Sequence, residues 1–431
     1  MAACREDAGQ RTPDRLAVRT VPVIGSGDLL ERLPAPGGVA WVRGGTGLVG
    51  WGEAARITLP AGEDRFTAGE KWLRALFDSA DIEDRVGLAG CGPVAFGSFT
   101  FDPASDGSVL IVPRTVLGRS AGQAWRTDIG DAGTIGTALG PDAWPEPCPR
   151  LDPAAERIRW HDGGLSAPAW QRAVATAVAR IEAGQLGKVV LARDLNATAS
   201  VPIDLQVVLR RLAARYPDCH TFTCDGLTGA TPELLIRRDG PQITSRVLAG
   251  TAPRGSTAAQ DEAIGAALLA SGKDIVEHVY AVDSVRDVLA PLCARLEVDP
   301  RPSLLTLANV RHLATDVHGT LAMGTPAGDT SALALAAALH PTAAVGGTPT
   351  AVAMDLIREL EGMDRSRYAG PVGWVDSRGN GEWGIALRCG LLYGAAARLF
   401  AGCGIVAGSD PAAELAEAQS KFRPMQDALE G

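Results

Sequence analysis

With 431 residues, 46% of them hydrophobic, the chain can build a large core as two or three domains or as one big α/β unit. Its formal net charge of −9 speaks against a nucleic-acid partner, whose phosphates favour a basic face. No apolar run of about 18 residues and no basic-then-apolar start occurs, so neither a membrane span nor a secretory signal is expected. This places the chain in the cytoplasm.

Residues 1–20 are polar and charged and predict a loose terminus. From Val21 to about Ile135, short apolar segments alternate with Gly and Pro breaks, which predicts a mostly β portion with few catalytic groups. Five prolines between Pro141 and Pro153 mark a boundary, dividing a variable N-terminal portion, 21–150, from a second portion, 165–431. The eight cysteines include no CxxC pair, which predicts reduced thiols serving as core filler.

Ser166-Ala167-Pro168 opens a helix whose Trp170, Val174, Val178 and Ile181 recur at helical spacing and which stops at Gly184. Lys188 then stands at the entrance of an apolar strand. Such a lysine usually reaches for solvent. Its other role, a base, demands burial or nearby positive charge, because an ordinary lysine is only about a thousandth neutral at pH 7.5.

A helix over 204–216 and a strand over 220–224 lead to Glu233, which precedes an apolar strand and reads as a strand-edge charge or an acid. Gly250 and Thr251 follow in a loop that offers backbone and hydroxyl donors. The helix from about Lys273 to Leu289 predicts an apolar stripe of Ile275, Val279, Val282 and Leu289, with Asp274 and Glu277 elsewhere, three apart. His278 reads as structural.

Towards the C-terminus, strands on either side of 377–381 predict a hairpin, with Arg388 on the face shared by Glu382, Gly384 and Ala386. A strand over 398–406 carries Gly402 and Gly404, which weaken it unless something must approach closely. Asp410 and Pro411 then start a helix that aligns Glu414, Glu417 and Lys421. Two carboxylate pairs on two helices repel unless they stand apart or share a cation, and oxygen-only ligands suit Mg2+. If they stand apart, both pairs are solvated faces.

Ordered motifs across the C-terminal 260 or so residues resemble the chorismate-utilising enzymes, and among them the isochorismate synthases. They include KVVLAR at 188–193, TPELL at 231–235, LAGTAPRG at 248–255, KDIVEH at 273–278, HPTAAVGGTP at 340–349, GNGEWGIALR at 379–388 and SDPAAELAEAQSK at 409–421. The resemblance implies an α+β fold of two large, orthogonally packed antiparallel β-sheets flanked by helices. It implies Mg2+-dependent conversion of chorismate to isochorismate, an isomerase activity in which water adds at ring C2 while the C4 hydroxyl leaves.

The base and acid of the family pattern fall on Lys188 and Glu233. Metal ligands fall on Glu277 and Glu417, with Asp274 and Glu414 in an outer shell. Substrate contacts fall on Gly250, Thr251, His312, Ala344, Arg388, Gly402 and Lys421. A monomer is expected, with no glutamine amidotransferase subunit, no nucleic acid and no membrane. The alternatives are a salicylate synthase, against which Ala344 speaks because salicylate formers typically carry threonine there, and a non-catalytic chorismate-binding relative. The pathway stays open between menaquinone and siderophore biosynthesis, and no tryptophan feedback is expected.

Overall fold

The computed structural model describes residues 15–131, apart from 26, 35 and 36, and residues 157–431. The proline-rich boundary and most of the expected loose terminus lie outside the described residues.

Two large sheets, of thirteen and ten strands, carry the fold, with eight α-helices among the described residues. The strand pairings are antiparallel, except that Leu16–Pro22 runs parallel to Asp81–Asp84. Residues 16–20 are thus strand and not loose terminus. Leu16, Val18 and Thr20 are buried while Ala17 and Arg19 are less so, the period-two alternation that selects a half-buried strand over a charged tail.

Each sheet is built from both ends of the chain. In the larger one, Val39–Arg43 pairs with His220–Cys224, placing Val42 opposite Thr221. In the smaller one, Val94–Ser98 pairs with Pro371–Asp376, placing Gly97 opposite Gly373. The largest of three clusters of buried aliphatic and aromatic side chains among the described residues draws on both halves, with Trp41, Phe96, Trp170 and Trp383 each 1% exposed or less.

Six elements position the site. They are β1 (Lys188–Ala199), β2 (Gln242–Pro253), α1 (Gly272–Leu289), β3 (Val310–Leu321), β4 (Ala396–Ile405) and α2 (Pro411–Glu430). The strand β4 lies beside β1 in the larger sheet, and β2 beside β3 in the smaller. Local signals fix the helix starts. Ser271 caps α1 by accepting from the Asp274 amide, and Asp410 caps α2 by accepting from the amides of Ala412 and Ala413. Among the described residues no helix is long and apolar enough to cross a membrane.

Candidate active site

Two of the places where the chain passes from one sheet to the other are neighbours, and a candidate residue sits at each. Leu227–Thr231 belongs to the larger sheet and Leu234–Asp239 to the smaller, with Glu233 between them. Gly381–Ile385 belongs to the smaller sheet and Cys389–Tyr393 to the larger, with Arg388 between them. The Thr231 hydroxyl donates to the Ile385 carbonyl at 2.6 Å, and the Ala230 amide donates to the Arg388 carbonyl at 3.2 Å, tying the crossings together.

Arg388 is therefore not on the alternating face of the hairpin strand, as its spacing suggested. That strand ends at Ile385, and Arg388 adopts a left-handed φ of 49° that turns the chain into the other sheet. Its Nη2 donates to His312 Nε2 at 2.8 Å. A guanidinium has no acceptor, so Nε2 must be the bare nitrogen and Nδ1 the protonated one. Nδ1–H then faces the Thr251 hydroxyl at 3.0 Å and the Gly250 carbonyl at 3.4 Å. Burial, followed by the Arg388 and Lys421 cations, holds His312 well below the ordinary histidine value, in agreement with this neutral tautomer.

Lys188, first residue of β1, does not reach solvent. It is wholly buried, and its Nζ stands 3.3 Å from Glu277 Oε1 without a hydrogen-bonding geometry. Gly404 of β4 lies against this pair. A Cβ there would come 1.9 Å from Glu277 Oε1 and 3.0 Å from Lys188 Cε, so the glycine exists to let the two side chains approach. Gly402 serves similarly, since a Cβ would meet the Tyr368 hydroxyl at 3.1 Å, and its carbonyl accepts from Lys421 Nζ at 2.9 Å.

The helix α1 keeps the expected stripe only in part, burying Leu289 and packing Val282 against the core but leaving Val279 outside. Its buried residues are Glu277, His278, Ala281, Val285 and Leu289, whereas Val279 of the expected stripe is 48% exposed and Val276 is 50% exposed. Polar partners outweigh the apolar count here. His278 Nδ1 meets the Ala249 carbonyl at 3.0 Å and its Nε2 meets the Thr315 hydroxyl at 2.8 Å, a structural role, and burial pushes the ring down to about 4. Glu277 has Lys188.

On α2, Glu414 is buried and accepts from Lys273 Nζ at 2.6 Å, while Glu417 pairs with Lys421 at 2.6 Å. Ligand atoms of Glu414, Glu417 and Cys403 lie within 4.8 Å of one another. Burial first, then Glu417, pushes the Glu414 carboxyl up. The Asp274 carboxylate accepts from Ser271 Oγ at the start of α1, and its Cβ lies 3.2 Å from where a Cβ on Gly250 would stand.

A single pocket gathers Glu233, Gly250, Thr251, Glu277, His312, Ala344, Arg388, Gly402 and Lys421 on its wall. Lys188 lies behind Gly404 and Glu277; Asp274, Glu414 and Glu417 are not among the lining residues. Burial pushes the Glu233 carboxyl up to about 8, against the opposing pull of the Leu248 amide and the Lys188, Arg388 and Lys421 cations. Burial thus favours its protonated form at neutral pH.

Two wall residues escaped the sequence reading. Tyr368 stacks on Phe400 with ring centroids 5.2 Å apart. Arg365 is 3% exposed and pairs with Glu361, and its guanidinium also donates to the carbonyls of Val345 at 2.9 Å and Val190 at 2.7 Å. The i, i+4 spacing of Glu361 and Arg365 was the available signal.

A family profile described as chorismate binding enzyme matches residues 150–430. The isochorismate synthase MenF of Bacillus subtilis is 36% identical over 384 residues, 84% of this chain and 80% of that protein. The salicylate biosynthesis isochorismate synthase of Pseudomonas aeruginosa is 36% identical over 403 residues, 88% of this chain and 82% of that protein. Among solved structures, the putative 2,3-dihydroxybenzoate-specific isochorismate synthase DhbC of Bacillus anthracis superposes with a TM-score of 0.76 at 31% identity, covering 93% of this chain and 98% of that one. The chain belongs to the chorismate-binding enzyme family, alongside its isochorismate synthases.

Proposed function

We propose that the chain is an isomerase that converts chorismate to isochorismate, adding water at ring C2 while the C4 hydroxyl leaves. One observation carries this reading. Glu233, a carboxyl whose burial favours its protonated form, shares a pocket with the cations Arg388 and Lys421, and the wholly buried Lys188 stands against the wall residues Glu277 and Gly404. An acid, a candidate base and anion-binding groups around one cavity are what a dianionic substrate and a concerted addition and departure require.

In this scheme Lys188 takes the proton of the attacking water and Glu233 gives its proton to the departing hydroxyl. Such groups contribute roughly 10²- to 10⁴-fold each. Arg388 offers a planar fork to a substrate carboxylate. The neutral His312 leaves that fork's charge undiminished while occupying one of its N–H groups.

The donor set suits Mg2+. Glu277, Glu414 and Glu417 supply oxygen and each has a lysine nitrogen within 3.3 Å, whereas the Cys403 thiol beside them is held protonated by burial and donates to the Glu414 carbonyl, so it is no ligand for so hard an ion. Glu277 and Glu417 would hold the ion, with Asp274 and Glu414 further out. When bound, Mg2+ supplies positive charge to the substrate's ring carboxylate. The reading includes a cytoplasmic monomer without an amidotransferase subunit.

The test is incubation with chorismate, with and without Mg2+, resolving products by chromatography and assaying pyruvate. Isochorismate that depends on Mg2+ and appears without pyruvate is expected. Salicylate with equal pyruvate would make the chain a salicylate synthase, and bound but untouched chorismate would make it a binder.

A further inference from the structure

Lys273 lies in the first turn of α1, where the helix dipole disfavours positive charge. It does not serve the helix. Its ammonium instead crosses to α2, 2.6 Å from Glu414 Oε1, and its side chain remains 36% exposed while that of Glu414 is 3% exposed. Glu414 is a neighbour of Glu417, and the charges of Glu277 and Glu417 also act on Lys273. The lysine thus places a tethered cation at the carboxylate cluster assigned above to the metal.

We propose that Lys273 is an internal competitor of the divalent ion, which neutralises the α2 carboxylates when the metal is absent and must yield as the metal enters. The inference rests on the metal reading above, and adds to it a residue that sets the affinity. Electrostatics fixes the sign. A single positive charge a few ångströms from a doubly charged ion opposes it by more than about 1.4 kcal/mol even at a water-like dielectric, equivalent to tenfold. A lysine whose task was to hold Glu414 in place for the metal would have the opposite effect.

The experiment compares Mn2+ binding by the full chain, Lys273→Met and Lys273→Arg, followed by loss of the free-ion electron paramagnetic resonance signal. Each is titrated without ligand and with an equilibrium mixture of chorismate and isochorismate. Lys273→Met should bind Mn2+ at least about tenfold more tightly, and Lys273→Arg within about twofold of the native chain. Because Lys273 is half-exposed, the Met variant should fold, which circular dichroism checks. Equal or weaker binding by Lys273→Met, with Mn2+ still bound by the native chain, overturns the role of Lys273 alone. If none of the three proteins binds Mn2+ under either condition, the metal reading falls and the competitor falls with it.

Discussion

Glu233 and Arg388 occupy two neighbouring points among those at which the chain leaves one sheet for the other. The crossings are fastened by the Thr231 hydroxyl on the Ile385 carbonyl and the Ala230 amide on the Arg388 carbonyl. The proposed acid and the anion-binding fork are therefore set by the backbone of both sheets at once, which fixes their separation without flexible loops.

The acid makes a pH prediction. With its folded value near 8, Glu233 is protonated below that and ionised above it, so turnover should fall as pH rises through about 8. Glu233→Gln keeps the shape but has no proton to give, and should lose about 10²- to 10⁴-fold in kcat together with that limb of the profile. A variant retaining the alkaline limb would assign it to another group.

Replacing the proposed base separates chemistry from binding. Lys188→Met should lower kcat by at least about 10²-fold while calorimetry still detects chorismate binding. Near-native turnover would remove Lys188 from the role.

Arg388→Lys keeps the charge but loses the fork and the bond to His312 Nε2. A rise of about ten- to a hundredfold in KM, larger than the change in kcat, is expected. Steady-state kinetics at fixed Mg2+ measures the split.

For the metal ligands, Glu417→Gln should shift the Mg2+ concentration needed for half-maximal turnover upwards by about tenfold or more. An unchanged titration would mean that the carboxylates of α1 and α2 do not meet at an ion.

The Glu361–Arg365 pair makes a stability prediction. Arg365→Met strands a buried carboxylate, and denaturant unfolding should show a loss of about 3–5 kcal/mol, whereas the double variant Glu361→Leu, Arg365→Met should recover much of it. A double variant no better than the single would locate the cost in the Val190 and Val345 carbonyls instead.

Much of this was legible in the sequence where short-range rules govern. The cap at Asp410, the helix ending before Gly184 and the glycines of β4 follow from local chemistry, and the resemblance supplied the proposed site residues by position. Two errors share a cause. Arg388 and the face of α1 were read from periodicity, yet the first is decided by a change of sheet and the second by partners far along the chain, Lys188, Ala249 and Thr315. The burial of Lys188 is likewise a product of tertiary structure, since nothing near it in sequence predicts that α1 and β4 will close over it. At 16–20 the charged flank masked a real alternation.

The pairing of Val42 with Thr221 and of Gly97 with Gly373 gives the N-terminal strands a second task. They are the shields of two sheets that would otherwise end in open hydrogen-bonding edges, templates for self-association. A fragment beginning at residue 157 would retain every proposed catalytic group and still be expected to precipitate. For this chain, the shortest sequence that holds every proposed catalytic group and the shortest that resists self-association are different objects, because the N-terminal strands must keep those two edges covered.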